Sequence, residues 1–386
     1  MSKVIFDIVH GFIEIDELAL SIIDTPEFQR LKNIKQLGVV HYVFPSATHT
    51  RFEHSIGVYH LAGELLSNLV KNQPDIDITN RDIQLIKIAG LCHDLGHGPY
   101  SHLLDNHILN LNNSIYRIHE NRSILILKYI IDKYNLGINT NEINFISKLI
   151  NPKFEINDYN FNENREYLFE IINNERNGID VDKFDYIKRD TLYCGLSYSM
   201  DCSRILKHVK IIDNKLCYLD KSFNYIKDMY EVREKLHTQI YKHKTCLGIE
   251  LMVKKIIEKV KEFYYLDKII ENPELFCKLD DYIVDYIFNE SIDRFDFRCK
   301  REILEAKKII LNIKNRKLYK NTQLDDSELK NKKVIIIKYY LGYKSNENPF
   351  SNIYFYNKRE LNKKFIKSDN EFKNNYKEII LKFIEY

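Results

Sequence analysis

Histidine and aspartate residues are concentrated in one short stretch of the chain, between positions 91 and 105. Nine of the thirteen histidines lie between His41 and His119, which is denser than a chance His-Asp pair. Imidazole and carboxylate ligands without thiolate suit a divalent transition metal such as zinc, iron or manganese, with positions open for water. Such a metal can lower the pKa of bound water to about 7. The side chains that could do this chemistry are His93, Asp94, His97, His102 and Asp105.

The elements around this stretch must bring its side chains together. An apolar run just before it predicts a buried helix over about 81–95. On that helix His93 and His97 would share one face, with Asp94 to the side. Glycine and proline at positions 96–99 should break the helix and return the next histidine and aspartate toward the same space. The alternative is a helix end with solvated histidines, which the density of ligand-type residues disfavours.

Two further candidate metal ligands, His54 and Asp182, lie far from this stretch in sequence. Each stands in a charged run that interrupts an apolar helical pattern. Together with His93 and Asp94 they would form a set of two imidazoles and two carboxylates. Alternatively, His54 is a helix-start histidine and Asp182 an exposed helix carboxylate, and spacing alone does not decide between the two interpretations.

Cationic and near-neutral donors flank the candidate metal ligands, in the number that a polyphosphate leaving group would need. For Lys183 and Arg189 the alternative is a surface ion pair with Asp180 and Asp185, which would contribute little to stability. The full set of donors is Arg51, His97, His102, His119, Lys183, Arg189 and Arg233.

Two histidines have a carboxylate close by in sequence and are candidate general acids. Asp105 follows His102 by three residues, so this carboxylate could orient the imidazole. Glu120 directly follows His119, although adjacent pairs of this kind are also common at helix caps and surfaces.

Residues 222–265 predict one or two long amphipathic helices. Arg233, His237 and Tyr241 fall at four-residue steps and so share one face. Tyr241 and Tyr186 offer flat surfaces for a base or a sugar. Because the chain has 27 tyrosines, residue type alone does not single these two out.

Periodicity predicts a mainly α chain. Short helical or strand segments occupy the first 50 residues, and looped helical pieces are expected at 135–165. Near the C terminus, 334–340 and 353–357 predict two strands around a polar turn, and a final helix is expected from about 369. Other expected helices begin near Asp24 and Glu53 or span about 99–110, 119–134 and 173–196.

The change of pattern after residue 271 predicts two parts. We expect a catalytic domain over 1–270, with a metal core at about 45–195. A smaller C-terminal α+β lobe over 271–386 would contain a short antiparallel sheet and serve regulation or oligomerisation.

The composition limits the classes of protein. With 44% hydrophobic and 29% charged residues, the 386-residue chain is globular. A net charge of +3 offers no broad basic footprint for nucleic acid. The seven cysteines form no Cys-x-x-Cys pair, which favours free thiols in a reducing compartment. Without a signal-peptide pattern or an apolar run of membrane-spanning length, we expect a soluble protein of the cytoplasm or nucleus.

Ordered blocks of the sequence are more specific than these patterns. They include Asp24-Thr25-Pro26-Glu27-Phe28, Arg51-Phe52-Glu53-His54-Ser55, the stretch from 91 to 105, Asn177-Gly178-Ile179-Asp180-Val181-Asp182-Lys183, and the run from Arg233 to Lys244. Taken together they resemble the SAM-and-HD-domain deoxynucleoside triphosphate triphosphohydrolases, a family of HD-domain metal hydrolases. The resemblance begins at Lys3 and is loosest over 135–170 and 260–310. The SAM module and the regulatory tail of the family are not among the matching parts.

The resemblance implies a helical HD-domain core that converts a dNTP, dGTP included, to a deoxynucleoside and inorganic triphosphate. A transition metal would be held by His54, His93, Asp94 and Asp182, and a magnesium ion would accompany the substrate triphosphate. The acid at the leaving 5′ oxygen would be His102, supported by Asp105 and His119. The triphosphate would be bound by Arg51, His97, Lys183, Tyr186 and Arg233.

The same resemblance implies how the sugar is recognised. Gln36, Leu37 and Asp190 would contact the deoxyribose, and Tyr241 would leave no room for a 2′ hydroxyl. Such exclusion is physically sound because an added hydroxyl against an apolar wall both clashes and lacks a partner. His237 would belong to the same pocket.

Activation by GTP or a dNTP and assembly into a homo-oligomer, a dimer or a tetramer, are also implied. Here the chain departs from the family, with Phe6 in place of Asn and with Lys32 and Leu219 in place of Arg. These changes remove phosphate and planar bidentate contacts, so the resemblance supports catalysis more fully than regulation. The candidate regulatory positions are Lys3, Val4, Asp24, Gln29, Lys32, Arg204, Arg316, Lys320 and Lys358.

Two other functions remain open from the sequence. One is an HD-type phosphohydrolase that acts on another nucleotide, such as a cyclic nucleotide, an alarmone or a monophosphate. The other is a nucleic-acid-binding protein with a vestigial metal site. The complete set of metal and acid residues argues against the second, and the many phosphate donors argue against the first.

Overall fold

A computed structural model describes residues 2–109, 113–156, 163–293, 296–323, 333–341, 348–367 and 376–385. Helices predominate in this part of the chain. The α-helices are α1 (Glu17–Ile23), α2 (Pro26–Gln29), α3 (Arg51–Asn72), α4 (Asn80–Cys92), α5 (His119–Tyr134), α6 (Thr140–Ile150), α7 (Val181–Tyr193), α8 (Ser203–Lys207), α9 (Phe223–Leu236), α10 (Lys244–Val260), α11 (Leu266–Ile269), α12 (Pro273–Phe276), α13 (Ile283–Asn289) and α14 (Phe297–Lys314).

Short strands form three small sheets in the described residues. The first sheet is a hairpin of β1 and β2, the second has the order β3-β4-β7-β8, and the third has the order β5-β9-β6. The predicted mainly α fold with a smaller α+β C-terminal lobe is confirmed. The strands are β1 (Lys3–Asp7), β2 (Gly11–Ile15), β3 (Lys210–Ile212), β4 (Lys215–Leu219), β5 (Lys320–Thr322), β6 (Val334–Leu341), β7 (Tyr354–Asn357), β8 (Glu360–Ile366) and β9 (Lys377–Ile384).

Helix α3 is the central element of the core. Its start is fixed by a capping box, in which the Thr50 side chain and Glu53 satisfy each other's free backbone N–H groups. Its apolar positions are buried along its length, and it packs against both α4 and α7. The candidate ligands therefore lie at helix ends: His54 in the first turn of α3, His93 just after α4, and Asp182 in the first turn of α7.

Two predicted helices near the site are not formed as expected. Helix α4 ends at Cys92, so His93 and His97 do not lie on one continuous helix. The predicted helix at 99–110 is shorter than expected, because Tyr100 and Ser101 adopt positive φ. Helical residues begin at 102 and end in a π-helical turn at Leu104–Ile108. The Ser101 hydroxyl holds this bend in place by donating a hydrogen bond to the carbonyl oxygen of Lys35.

The predicted final helix from about 369 is wrong within the described residues. Residues 377–384 form β9, which pairs antiparallel with β5 and β6. The strands predicted at 334–340 and 353–357 exist, but they belong to different sheets. Pairing with a distant strand thus overrides the local helical pattern.

The C-terminal residues are interleaved with earlier parts of the chain. Strand β7 pairs in parallel with β4, with Cys217 opposite Tyr354. Helix α10 packs along α14. The boundary at 270 stays a prediction, and two of the main contacts cross it.

Candidate metal centre and substrate cavity

Three helix ends bring two imidazoles and two carboxylates together. His54 Nε2 lies 3.1 Å from Asp182 Oδ1 and 3.5 Å from Asp94 Oδ2. His93 Nε2 lies 3.5 Å from the same Asp182 oxygen and 3.4 Å from Asp94 Oδ1. The four residues that the sequence proposes as metal ligands are therefore neighbours in space.

The arrangement fits a metal ion on two grounds. His54 Nε2 and His93 Nε2 are buried and make no hydrogen bond with any described residue. Ligand atoms about 2.1 Å from one metal lie about 3.0–3.4 Å apart in octahedral or tetrahedral sites, close to the separations found here. Since a buried imidazole nitrogen without a partner is costly, a cation between these groups would satisfy both rings.

The other ring nitrogen of each histidine is held by a hydrogen bond. His54 Nδ1–H donates to Asp185 Oδ2 at 2.7 Å, and His93 Nδ1–H donates to the Gly90 carbonyl oxygen at 2.8 Å. These bonds direct the lone pair of each Nε2 toward the shared space, as outer partners of metal-binding histidines do. No local sequence pattern singles out Asp185, because it lies far from His54 in the chain.

The carboxylates of the centre favour positive charge beside them. Burial lowers the pKa of His54, but the carboxylates of Asp182, Asp185 and Asp94 outweigh it and raise the pKa to about 10. Burial raises the pKa of Asp94, yet the charge of Arg51 holds it well below its usual range. The carboxylates thus stay ionised and hold either protons on the imidazoles or a metal cation.

A second group of histidines lies beside the centre, formed by His97, His102 and His119. The rings of His97 and His119 are stacked, with centroids 3.8 Å apart, and His102 meets both edge-on. Asp105 accepts a hydrogen bond from His119 Nδ1 at 2.8 Å and is paired with Arg122. The expected pairing of Asp105 with His102 is replaced by one with His119, because the π-helical turn points the carboxylate that way.

Burial and nearby charges set the protonation of these three histidines. Burial, together with the charges of Arg51 and His119, lowers the pKa of His102 to about 3. The pKa of His97 is well below its usual range for the same two reasons, burial and Arg51. Although burial lowers the pKa of His119, Glu120 and Asp105 raise it overall. His97 and His102 are therefore neutral near pH 7, and the charge of Arg51 beside them would attract a phosphate group.

A cavity of 390 Å³ is lined by His102 of the histidine group and by Arg51, which pairs with the candidate ligand Asp94. The predicted substrate residues converge on it from four separate segments of the chain, and the volume suits a ligand of nucleotide size. Its wall also includes Lys242 and Glu250, which no sequence pattern identifies. Burial raises the pKa of Glu250 to about 7. The predicted residues in the wall are Gln36, Leu37, Arg51, His102, Tyr186, Asp190, Arg233, His237 and Tyr241.

Asp190 is held from two sides at the cavity wall. His49 Nε2–H donates to Asp190 Oδ1 at 2.7 Å, and the Tyr241 hydroxyl donates to the other carboxylate oxygen. His49 is fully buried and stacks on Tyr193. The only sequence signal for His49 is its position in a His- and Thr-rich loop, so its contact with Asp190 was not foreseeable.

Arg189 and Lys183, both expected as phosphate donors, are paired with carboxylates, as Arg51 is with Asp94. Arg189 is fully buried and pairs with Asp185 and Asp7, so its assignment as a phosphate donor is wrong. Lys183 Nζ donates to Asp180 at 2.8 Å, as in the alternative, yet keeps part of its side chain exposed. Of the two, only Lys183 is partly exposed, so only its side chain could turn from its carboxylate partner toward a ligand.

The candidate regulatory positions form three groups. Lys3 lies 3.7 Å from Asp24, and Lys32 donates to Gln29 at 2.6 Å, in neighbouring segments at the N terminus. Lys358 and Arg204 both lie near His208, because their charges lower its pKa in addition to the larger effect of burial. Val4 follows Lys3 on β1. The remaining two positions are Arg316, which donates to the Tyr42 carbonyl oxygen, and Lys320 in β5.

The residues that replace the family's Asn and Arg have opposite environments. Phe6 is 66% exposed on β1, whereas Leu219 is buried in β4. Neither can donate a hydrogen bond to a nucleotide from its side chain. No helix of the described residues is long and apolar enough to cross a membrane.

Comparison with known proteins agrees with this geometry. A family model described as HD domain matches residues 51–214, the segment that holds all four candidate ligands. Deoxynucleoside triphosphate triphosphohydrolase SAMHD1 of Homo sapiens is 38% identical over 82% of this chain and 54% of its own length. The SAMHD1 homolog of Dictyostelium discoideum is 38% identical over 83% of this chain and 60% of its own length. The chain thus spans a little over half of these relatives.

A viral relative matches more evenly. An HD domain-containing protein of Acanthamoeba polyphaga mimivirus is 35% identical over 91% of this chain and 84% of its own length. Similarity at this level over most of both chains reflects a common fold. The chain belongs to the HD-domain family, and it is similar to the SAMHD1 triphosphohydrolases.

Proposed function

We propose that this protein hydrolyses a dNTP to a deoxynucleoside and inorganic triphosphate in a metal-dependent reaction. The observation that carries the proposal is the juxtaposition of a His/Asp centre, an anion-attracting group of histidines and a nucleotide-sized cavity. The names of the SAMHD1 relatives support the same activity. Cyclic or monophosphate substrates would need fewer phosphate donors than the cavity contains.

Each part of the site has a role in this reaction. His54, His93, Asp94 and Asp182 would hold a divalent zinc, iron or manganese ion, which when bound supplies Lewis-acid activation of water and phosphate. Arg51 and Arg233 face the cavity, where Arg233 Nε donates to the Tyr186 hydroxyl at 3.1 Å. These groups, with Lys183, would bind the triphosphate and the magnesium ion that accompanies it.

The histidine group would supply the proton for the leaving 5′ oxygen. In the free protein His119 holds a proton more readily than His102, because Asp105 and Glu120 stabilise its charge. A bound triphosphate would offset the charge of Arg51 and raise the pKa of His102. His102 could then take a proton and pass it to the 5′ oxygen, with His97 binding the neighbouring phosphate.

Sugar selection would follow from the fixed position of Tyr241. Its hydroxyl is bonded to Asp190, which His49 holds in turn, so the ring cannot easily move aside for a larger sugar. Asp190 and Gln36 would bind the 3′ hydroxyl, with Leu37 against the deoxyribose. A ribonucleotide would bring its 2′ hydroxyl against the ring without a partner.

The proposal also includes assembly and a reduced form of regulation. We expect a homo-oligomer, a dimer or a tetramer, and activation by GTP or a dNTP reduced by the changes at Phe6, Lys32 and Leu219. Nucleic-acid binding is a secondary function at most, because the net charge is only +3.

The test is an assay of each of the four dNTPs with manganese or magnesium, with and without GTP, read by phosphorus NMR. Intact triphosphate together with free deoxynucleoside is the expected result, and a chelator should abolish it. The matched ribonucleotides should give little product. Nucleoside monophosphate, or no product from any dNTP, would refute the proposal. Binding to nucleic acid that weakens steeply with salt would then favour the alternative function.

A further inference from the structure

Asp185, a buried carboxylate behind the metal centre, accepts hydrogen bonds from other side chains as well as from the candidate ligand His54. Besides His54, Asp185 receives both Nε and Nη2 of Arg189 at 2.9 Å and His10 Nε2 at 2.7 Å. Asp185 and Arg189 are both fully buried. The position of this carboxylate is therefore set by four hydrogen bonds, only one of which comes from a metal ligand.

Two of the groups in this network come from the N-terminal hairpin. Asp7, at the end of β1, accepts Arg189 Nη1 at 2.9 Å through Oδ2. Its other oxygen accepts the backbone N–H groups of Val9 and His10, which fixes the turn that aims the His10 ring at Asp185. The hairpin turn thus holds Asp185 directly through His10 and indirectly through Arg189.

The charges explain why these contacts are linked. Arg189 is the one fully buried cation between the two carboxylates of Asp7 and Asp185. Removal of Asp7 would leave Arg189 with a single partner and draw it closer to Asp185. The carboxylate would then be a poorer acceptor for His54, and the imidazole a weaker metal ligand.

Space around the network is equally restricted. A Cβ atom at Gly57 of α3 would lie 1.9 Å from Asp185 Oδ1 and 2.6 Å from Arg189 Nη2. The carboxylate is therefore confined between the hairpin and the helix that carries His54, and it cannot shift without moving one of them.

We propose that the N-terminal hairpin β1–β2 is a positioning element of the metal centre, in which Asp7 and His10 fix the carboxylate that orients His54. The inference rests on the proposed metal site. It means that a displacement of the hairpin weakens metal binding, although no hairpin residue touches the metal. The candidate regulatory residues Lys3 and Val4 lie on the same hairpin, so both functions would share one element.

The test measures metal affinity of the metal-free protein for manganese and zinc by competition with a chromophoric chelator. Asp7→Asn and His10→Ala should each bind about tenfold more weakly, the lower end of the effect of outer partners. His10→Gln, which keeps an N–H donor, should recover most of the loss. Glu14→Gln on the same hairpin is the control, because its side chain is exposed. Cobalt-loaded variants should also show shifted visible absorption bands.

The outcomes are distinguishable when thermal unfolding of the metal-free proteins is compared. Folded Asp7→Asn and His10→Ala proteins with the affinity of the unchanged chain would overturn the inference while leaving the metal site intact. If the unchanged chain bound no metal, the proposed function and the inference would both fail. Should Asp7→Asn not fold, the pair His10→Ala and His10→Gln decides alone.

Discussion

At the scale of single residues, the metal centre depends on carboxylates that stabilise positive charge at or between two imidazoles. Asp182 contacts both rings and retains 27% exposure, so it borders the open side of the centre. The ligands His93 and Asp94 could be predicted because they are adjacent and dense in sequence. Asp185, His10 and His49 could not, since each acts on a residue more than 100 positions away.

Asp182→Ala should abolish metal binding and turnover without unfolding the protein. The variant removes one carboxylate of the centre, and its partly exposed side chain has little role in packing. Metal content by mass spectrometry, turnover and circular dichroism would be measured on the same preparation. A variant that kept both metal and activity would show that the ligand assignment is wrong.

His102→Ala should keep its metal and lose about 10²- to 10⁴-fold in kcat, the usual contribution of one acid. In the unchanged enzyme, kcat should fall as the pH rises through the pKa of His119, because His119 holds the proton that His102 must receive before it can act as the acid. Asp105 and Glu120 raise that pKa, after the opposing effect of burial, so the fall begins above the range of an ordinary histidine. Rates across about pH 6 to 9 test this, and unchanged turnover in His102→Ala would remove it from the mechanism.

At the scale of elements, the ends of α3, α4 and α7 deliver the ligands, and capping residues fix where those ends fall. The apolar pattern predicts helices near Glu53 and over 173–196. The exact starts of α3 and α7 are set by the caps Thr50 with Glu53 and Asp180, which the structure shows. The π-helical turn at Leu104–Ile108 and strand β9 could not be predicted. The former follows two residues at positive φ, and the latter exists only through pairing with β5 and β6.

Helix α3 offers a matched pair of glycines. Gly57→Ala should destabilise the protein by about 1–3 kcal/mol, because the new Cβ would meet buried Asp185 at 1.9 Å. Gly63→Ala should be neutral or stabilise by up to about 1 kcal/mol, since its Cβ meets only the flexible Lys87 side chain at 3.3 Å. Urea unfolding measures both. Equal effects of the two variants would contradict the tight packing around Asp185.

At the scale of the whole molecule, the C-terminal part supports the cavity that the earlier helices build. Asp281 accepts the backbone N–H groups of Tyr100 at 2.6 Å and Lys35 at 2.9 Å, and so ties the segment before α13 to two loops at the site. The sequence could predict that the C-terminal part is distinct in pattern. It could not predict this tether, which joins residues through single buried contacts.

The tether should make stability depend on pH. Burial raises the pKa of Asp281 to about 6, although hydrogen bonds from the backbone act in the opposite direction. The folded state therefore keeps a proton that the unfolded state has already released. The resulting stability is complete below about pH 4 and is lost as the pH rises through about 6. Between about pH 4 and pH 7, the free energy of unfolding of the unchanged chain should fall by about 1–3 kcal/mol relative to that of Asp281→Asn. The exposed Asp285→Asn is the control, and a difference that stayed constant with pH would contradict the buried state of Asp281.

The most direct measurement is of hydrolysis in ¹⁸O-labelled water, with the metal-loaded protein, dGTP and mass spectrometry of both products. Water that attacks the α-phosphorus leaves its oxygen on the triphosphate, while His102 returns a proton to the 5′ oxygen. The expected products are therefore unlabelled deoxyguanosine and triphosphate that carries one ¹⁸O atom. Label in the nucleoside, or deoxyguanosine monophosphate with pyrophosphate, would contradict the proposed reaction.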